Sequence, residues 1–174
     1  MPKVLLISGS NRKGNTEYIL TKLNEVIDDS ELILLRNRNI DNCKGCLYCH
    51  NNDRCIINDD INSIIDILLQ SEMIIFGVPN YFDNVSGLFK NFMDRLHPLY
   101  KSKLLENKKV IFIYVGGGEE LGTKEELHKA TNGFVKYLGL NLLEEFSFKA
   151  LNAGDVKEQD DKIKDMVDKI NNYI

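Results

Sequence analysis

No apolar stretch in this chain of 174 residues is long enough to cross a bilayer. Segments such as 64–69 and 73–78 fall far short of the roughly 20 residues that a spanning helix needs. The N-terminus, Met1-Pro2-Lys3-Val4-Leu5-Leu6-Ile7-Ser8, passes from one lysine into a short β-like run without a small-residue cleavage site, so the chain is expected in the cytoplasm with no membrane partner. A basic stripe is also missing: Lys and Arg number 22 against 26 Asp and Glu, a net charge of −4 spread along the chain. Nothing is available to neutralise a phosphate backbone, which argues against nucleic acid as a partner. There is no internal repeat or low-complexity linker, and the three prolines, Pro2, Pro79 and Pro98, stand at plausible element ends. A single domain over 1–174 is therefore expected. Cysteine is scarce and confined to 43–55, so no disulfide framework is expected. None is needed, because a chain of this size removes roughly 70 % of its unfolded surface from water.

With 43 % apolar and 28 % charged residues, the composition is that of an ordinary globular domain. Segments rich in Val, Ile and Leu recur at 4–7, 32–35, 73–78 and 110–115, with a weaker one at 142–148, and these predict five strands. The first four are nearly continuous in hydrophobicity instead of alternating, as expected of strands buried on both faces. Helical periodicity occupies 15–27, 61–70, 85–96, 124–138 and 160–173; in the third, Leu88, Phe89, Phe92, Met93 and Leu96 repeat at spacings of three and four. The alternation predicts an α/β fold, a doubly wound five-stranded parallel sheet with helices on both faces. Ligands of such sheets bind outside the carboxyl ends of the strands, which directs attention to the loops after Ile7, Val78 and Val115 and to the insertion after Arg36.

The first of these loops reads Ser8-Gly9-Ser10-Asn11-Arg12-Lys13-Gly14-Asn15-Thr16 and opens a helix, offering hydroxyls, backbone N–H groups and a positive helix end to an anion. It approaches G-x-x-x-x-G-K-[ST], but Asn15 stands where a lysine would meet β/γ-phosphates, and the dinucleotide pattern G-x-G-x-x-G is absent. A monophosphate fits better than a triphosphate. The alternative is an ordinary strand-to-helix turn capped by Ser8 or Ser10. After the third strand, Pro79-Asn80-Tyr81-Phe82 places two aromatics beside polar backbone, a setting for a planar heteroaromatic ring, although such aromatics also serve as core or rim residues. Gly116-Gly117-Gly118 follows the fourth strand and either lets bare backbone approach a ligand edge or forms a flexible turn.

Two motifs carry a family resemblance: Ser-Gly-Ser-x-Arg-x-Gly-x-Thr over 8–16, and Pro-x-Tyr-Phe-x-x-Val-Ser-Gly-x-x-Lys-x-Phe-x-Asp-Arg over 79–95. In order, spacing and strand placement the chain resembles the NADPH-dependent FMN reductase family of flavodoxin-like proteins. That resemblance implies a flavodoxin-like sheet over essentially the whole chain and FMN as cofactor. By it, Ser8, Ser10, Asn11, Arg12, Asn15 and Thr16 surround the ribityl phosphate, while Pro79, Asn80, Tyr81, Phe82, Gly116, Gly117 and Gly118 border the isoalloxazine. An ordinary flavodoxin differs, its phosphate loop being Thr-rich and without the arginine.

The insertion at 41–60 contains Cys43, Cys46, Cys49 and Cys55 in the pattern C-x2-C-x2-C-x5-C. It is similar to the compact motif of the iron–sulfur flavoproteins, a branch of the same family whose four thiolates bind a [4Fe–4S] cluster. Three cysteines at this spacing can wrap one face of a cubane while the fourth closes the last corner. Structural zinc sites usually pair two knuckles across a longer separation. Free thiols or a labile disulfide also stay open, with ligand spacing and compartment favouring the cluster.

The remaining candidates read as structural. Asp59 and Asp60 are expected to cap the following helix, Asp94-Arg95 to form a helix-end ion pair or interface contact, His50 to be a solvated loop residue, and His97 and His128 to be ordinary helix residues. No general acid or base stands out, which agrees with a flavin carrying the chemistry. The resemblance thus implies an FMN-dependent oxidoreductase moving electrons between NAD(P)H, or a reduced iron–sulfur donor, and a small-molecule or protein acceptor. It also implies a homo-oligomer, dimer or tetramer. Two other readings are a flavin electron carrier without small-molecule substrate and a cluster-free NAD(P)H:quinone or FMN reductase.

Overall fold

The computed structural model describes residues 2–174. Five strands run parallel, β1 (Val4–Ser8), β2 (Ser30–Leu34), β3 (Met73–Tyr81), β5 (Lys109–Gly116) and β6 (Asn141–Lys149), in the spatial order β2-β1-β3-β5-β6. A short β4 (Asn84–Val85) folds back on β3 antiparallel, pairing Asn80 with Val85 and Tyr81 with Asn84. The helices are α1 (Asn15–Val26), α2 (Ile61–Gln70), α3 (Gly87–Arg95), α4 (Pro98–Ser102), α5 (Glu120–Leu138) and α6 (Asp160–Asn171). The expected doubly wound α/β sheet is present, with β4 added to it. Among the described residues no helix is long and apolar enough to cross a membrane.

Both faces of the sheet are dry, which is why its strands read as unbroken apolar runs. Leu5 and Ile7 of β1 pack with Ile64 and Leu68 of α2 and with Phe89 and Phe92 of α3. The intervening Val4 and Leu6 pack on the opposite face with Ile19 and Leu20 of α1 and with Met166 and Ile170 of α6. Edge strand β6 has a register shift opposite Val110 and Ile111 and carries half-buried Glu144 and Glu145, so its pattern is weaker. α3 starts at Gly87, not at 85, because Ser86 is its cap: the Ser86 hydroxyl oxygen accepts the Phe89 N–H at 3.1 Å. The sequence periodicity does not resolve α4, a single short helix that Pro98 opens just after α3 ends.

Close approach is enforced where the site will form. A Cβ on Gly77 of β3 would lie 2.7 Å from Leu20 Cδ1 and 2.8 Å from Thr16 Cγ2, so α1 rests on β3 only because that position is bare.

Phe76 is 1 % exposed and is ringed by Phe112, Phe89, Phe134 and Phe92, with centroids 5.1, 5.6, 6.0 and 6.2 Å away. Phe76→Ala is expected to cost about 3–5 kcal/mol of folding stability. Urea unfolding measures this, and a loss below about 1 kcal/mol would mean that the aromatic ring system is not the centre of the core.

Candidate functional site

The carboxyl ends of β1, β3 and β5 frame a cavity of about 220 Å³. One wall is the loop after β1, whose shape is set by Ser10. The Ser10 hydroxyl donates to the Arg12 carbonyl at 2.8 Å and accepts the Arg12 N–H at 3.3 Å. The loop then enters α1 through Gly14, and among the described residues no side chain caps this helix start. Its leading N–H groups and the positive end of the helix dipole therefore face the cavity region unpaired by a cap. Ser10, Arg12, Asn15 and Thr16 line this side.

Pro79, Asn80 and Tyr81 form the second wall, and Gly116 and Gly117 the third. The Asn80 Nδ2 donates to Asp83 at 3.3 Å, while its Oδ1 is buried without a hydrogen-bond partner among the described residues. Such an acceptor is costly unless something donates to it. A Cβ on Gly116 would stand 2.9 Å from the Asn80 Cβ, so the glycine keeps that wall thin. Tyr81 is half-exposed at the rim.

Nine of the residues singled out from the sequence thus meet on one cavity, and four do not line it. Ser8 is buried below, its hydroxyl oxygen accepting the Ser10 N–H at 3.4 Å. Asn11 and Gly118 are exposed beside the cavity, and Phe82 is 103 % exposed at the tip of the β3–β4 hairpin. Phe82 and the following Asp83 have φ of 52° and 56°, the left-handed pair that a two-residue hairpin turn demands and that a phenylalanine rarely adopts. Sequence reasoning missed the loop after β6. Ala150 and Leu151 line the cavity, Arg12 Nη2 donates to the Leu151 carbonyl at 3.3 Å, and Asn15 bridges to the Asn152 carbonyl at 2.7 Å and the Gly154 N–H at 2.8 Å. The signal was the position: this loop leaves the same carboxyl edge as the other three.

The cysteine insertion forms a second cavity of about 180 Å³ in which all four thiols, none in a disulfide, line one cradle with Ile56, Ile57 and His97. Left-handed residues Gly45 and Leu47 flank Cys46 and curl the chain around it. Among the described residues no three His, Cys, Asp or Glu side chains converge on a point where a single metal ion could sit. Burial pushes the Cys49 thiol up, and Cys55, Cys43 and Cys46 push it the same way. His97 is more than an ordinary helix residue: its Nδ1 lies 3.4 Å from Cys49 Sγ and its ring stacks on that of His50. His128 pairs with Glu145 at 3.0 Å, on α5. A wider groove of about 800 Å³ runs from the cradle along α3, α4 and α5, with Met93, Tyr100, Phe134 and Tyr137 on its walls.

Arg95 departs most from expectation. It does not pair with Asp94, which binds Lys90; it is buried and pairs with Asp59, the two side chains being 0 % and 1 % exposed. Asp59 does cap α2, accepting the Ile61 N–H at 3.2 Å, and also accepts the Asp41 N–H at 2.9 Å. Asp60 accepts the Asn39 N–H at 2.8 Å. Burial alone would raise the Asp59 carboxyl, but Arg95 and the N–H groups of Asp41 and Ile61 hold it below its ordinary value.

Fold and site together define a flavodoxin-like α/β protein that carries, in addition to the cavity at its strand ends, a cradle of four cysteines. Residues 2–150 match the family model described as NADPH-dependent FMN reductase. An iron–sulfur flavoprotein of Methanocaldococcus jannaschii is 33 % identical over 138 residues, 76 % of this chain and 72 % of that protein. One from Archaeoglobus fulgidus is 37 % identical over 97 residues, 53 % of this chain and 48 % of its own length, so the chain spans about half of that relative. Among solved structures, an NAD(P)H:quinone oxidoreductase from Methanothermobacter marburgensis superposes with a TM-score of 0.74 at 13 % identity, covering 92 % of this chain and 90 % of that one, a likeness of fold. The chain belongs to the NADPH-dependent FMN reductase family of flavin oxidoreductases, on the side of it occupied by the iron–sulfur flavoproteins.

Acid tests the pairing of Asp59 with Arg95. A carboxyl held low in the folded state stabilises above the unfolded value, about pH 3.9 for Asp, and that contribution is lost as the pH falls through the folded value. Asp59→Asn leaves Arg95 buried and unpaired and is expected to cost about 3–5 kcal/mol at neutral pH. The difference from the unsubstituted chain should shrink below about pH 4. Urea midpoints of both chains between neutral and acid pH check this, and a gap independent of pH would contradict it.

Proposed function

We propose that the chain is an FMN-dependent oxidoreductase that passes electrons between NAD(P)H, or a reduced iron–sulfur donor, and a small-molecule or protein acceptor, with a [4Fe–4S] cluster on Cys43, Cys46, Cys49 and Cys55. The convergence of the 8–16 loop, Asn80 and the Gly116–Gly117 backbone on one cavity carries the flavin half of this reading. The residues fit the group. Thr16, Arg12 and the uncapped start of α1 supply a hydroxyl, a guanidinium and N–H groups for a phosphate dianion, Ser10 shapes the loop through its hydroxyl bonds to Arg12, and Asn11 belongs to the same loop. The amide of Asn15 is committed to the 152–154 loop, so it holds the phosphate loop in shape and offers its backbone to the anion. The unpartnered Asn80 Oδ1 is the acceptor that a ring N–H requires, and Pro79, Tyr81 and the glycines leave a slot for a flat ring. Phe82 and Gly118, exposed and next in sequence to the lining residues Tyr81 and Gly117, are assigned in this reading to the approach of a second substrate.

FMN held by these residues would supply the chemistry of accepting an electron pair from a reduced nicotinamide and passing electrons on singly or in pairs. The protein's own task is to bind, orient and limit access, which agrees with a cavity wall holding no His and no carboxylate.

Four soft thiols lining one cradle at the compact C-x2-C-x2-C-x5-C spacing suit a cubane better than tetrahedral zinc, whose structural sites pair two knuckles across a longer separation. The apolar groove beside the cradle supports the expectation of a homo-oligomer or a docked protein partner, and four clustered cysteines read as cluster ligands suit a reducing, cytoplasmic compartment.

Calorimetric titration is expected to give FMN tighter binding than riboflavin or FAD, and Arg12→Ala should lose about 1.5–3 kcal/mol of FMN affinity. Equal affinity for riboflavin would remove the phosphate role, and turnover of neither NADH nor NADPH with a quinone would favour an electron carrier. Anaerobic reconstitution should give near-stoichiometric iron and acid-labile sulfide that Cys46→Ser abolishes. Zinc bound in place of iron would sink the cluster.

A further inference from the structure

Four cysteines could line a cradle with no charged neighbour, yet an arginine is buried against one of them. Arg95 Nη1 donates to the Asp41 carbonyl at 2.5 Å and to Asp59 Oδ2 at 2.6 Å, and Nη2 donates to Asp59 Oδ1 at 2.9 Å and to Cys55 Sγ at 3.4 Å. Asp41 precedes the first cysteine and Asp59 follows the last, so one guanidinium closes both ends of the loop and touches a thiol within it. Asn62 pins the backbone of that same cysteine, accepting the Cys55 N–H at 3.1 Å and donating to the Cys55 carbonyl at 3.0 Å. Cys43 and Cys46, by contrast, are exposed.

Packing does not account for this arrangement. Replacing a buried ion pair by well-packed apolar side chains of similar volume is often neutral or stabilising, because desolvating two charges offsets their attraction. Apolar side chains cannot direct a positive N–H at a sulfur. Hydrogen bonds and positive charge at ligand sulfurs favour the reduced, more negative form of an iron–sulfur centre. Lysine is no equivalent, since a single ammonium cannot span a carboxylate, a carbonyl and a thiol with one planar fork.

We infer that Arg95 is a positioning residue for the Cys55 corner: it clasps the base of the cysteine loop through Asp41 and Asp59 and, by its N–H on the Cys55 sulfur, raises the reduction potential of the [4Fe–4S] cluster. The second half rests on the cluster reading above; the clasp itself does not.

The test uses the full chain with three substitutions: Arg95→Lys, Arg95→Met, and Arg95→Met combined with Asp59→Asn, which removes both buried charges together. Hydrogen exchange on the metal-free chain reads the clasp. The Asp41 amide should exchange at least about tenfold faster in the double variant, and unchanged exchange across 41–59 would overturn the clasp. The potential of the reconstituted cluster reads the electrostatic role. It should fall in both methionine variants by about 59 mV or more, a tenfold change in a one-electron equilibrium. Arg95→Lys, which keeps a charge, should fall less. Equal potentials in the double variant and the unsubstituted chain, both fully loaded, would overturn the role. Should no substituted chain fold, pulsed paramagnetic resonance of the reduced unsubstituted protein with 15N-arginine decides, a guanidinium nitrogen coupling being expected and its absence contrary. If no cluster assembles in the unsubstituted chain, the cluster reading fails while hydrogen exchange still judges the clasp.

Discussion

A parallel sheet covered on both faces can offer polar backbone to a ligand only at its ends, and the rest of this structure follows from that constraint. Val4 and Leu6 of β1 are committed to one layer and Leu5 and Ile7 to the other, so that the interior of this inner strand is left to packing. At the carboxyl edge the strands run out into loops, and the loops after β1, β3, β5 and β6 close on one cavity. Three bare positions make the closure possible: Gly77 admits α1, Gly116 admits Asn80, and Gly117 lies where a Cβ would stand 2.8 Å from Leu151.

The two cavities were built by different means. The first is shared among four loops of the sheet and held by hydrogen bonds between them, Asn15 joining the start of α1 to the 152–154 segment. The second is a single insertion tied at its neck. Asn39 and Asp60 exchange hydrogen bonds there, Asp41 and Asp59 meet further in, and Asn91 of α3 donates to the Ile40 carbonyl at 2.9 Å. Closing a loop of this length costs entropy, and neck bonds concentrated at its base offset that cost without engaging the segment that carries the cysteines.

Local chemistry decides what was legible beforehand. Strands β1, β3 and β5 could be read from composition because burial on both faces demands apolar residues at every position, and Asn15 and Ile61 mark helix starts the periodicity also finds. The 150–154 wall was invisible because its contribution is made by backbone carbonyls of Leu151 and Asn152, which any side chain can carry. β4 was missed because its hairpin places Phe82 and Asp83 at positive φ, where turn statistics expect asparagine or glycine. Arg95 was misjudged for a plainer reason. The adjacent Asp94 is the nearer carboxylate in sequence, but consecutive residues on a helix point away from each other, and the true partner lies 36 positions back in a loop.

Helix α3 joins the two cavities mechanically. At its start, Ser86 caps the helix and also donates its hydroxyl to the Gly9 carbonyl at 2.6 Å, fastening it to the loop after β1. At its end, Arg95 fastens it to the cysteine loop. Between them Phe89 and Phe92 are buried against Phe76, so the helix cannot roll without opening the core. A helix of nine residues is roughly 13 Å long. A stiff rod of that length, anchored by a serine at one cavity and an arginine at the other, holds the separation and orientation of the two sites constant. On the function proposed above, electrons pass between the two sites, and a fixed separation serves that transfer in a way that two independently mobile loops would not.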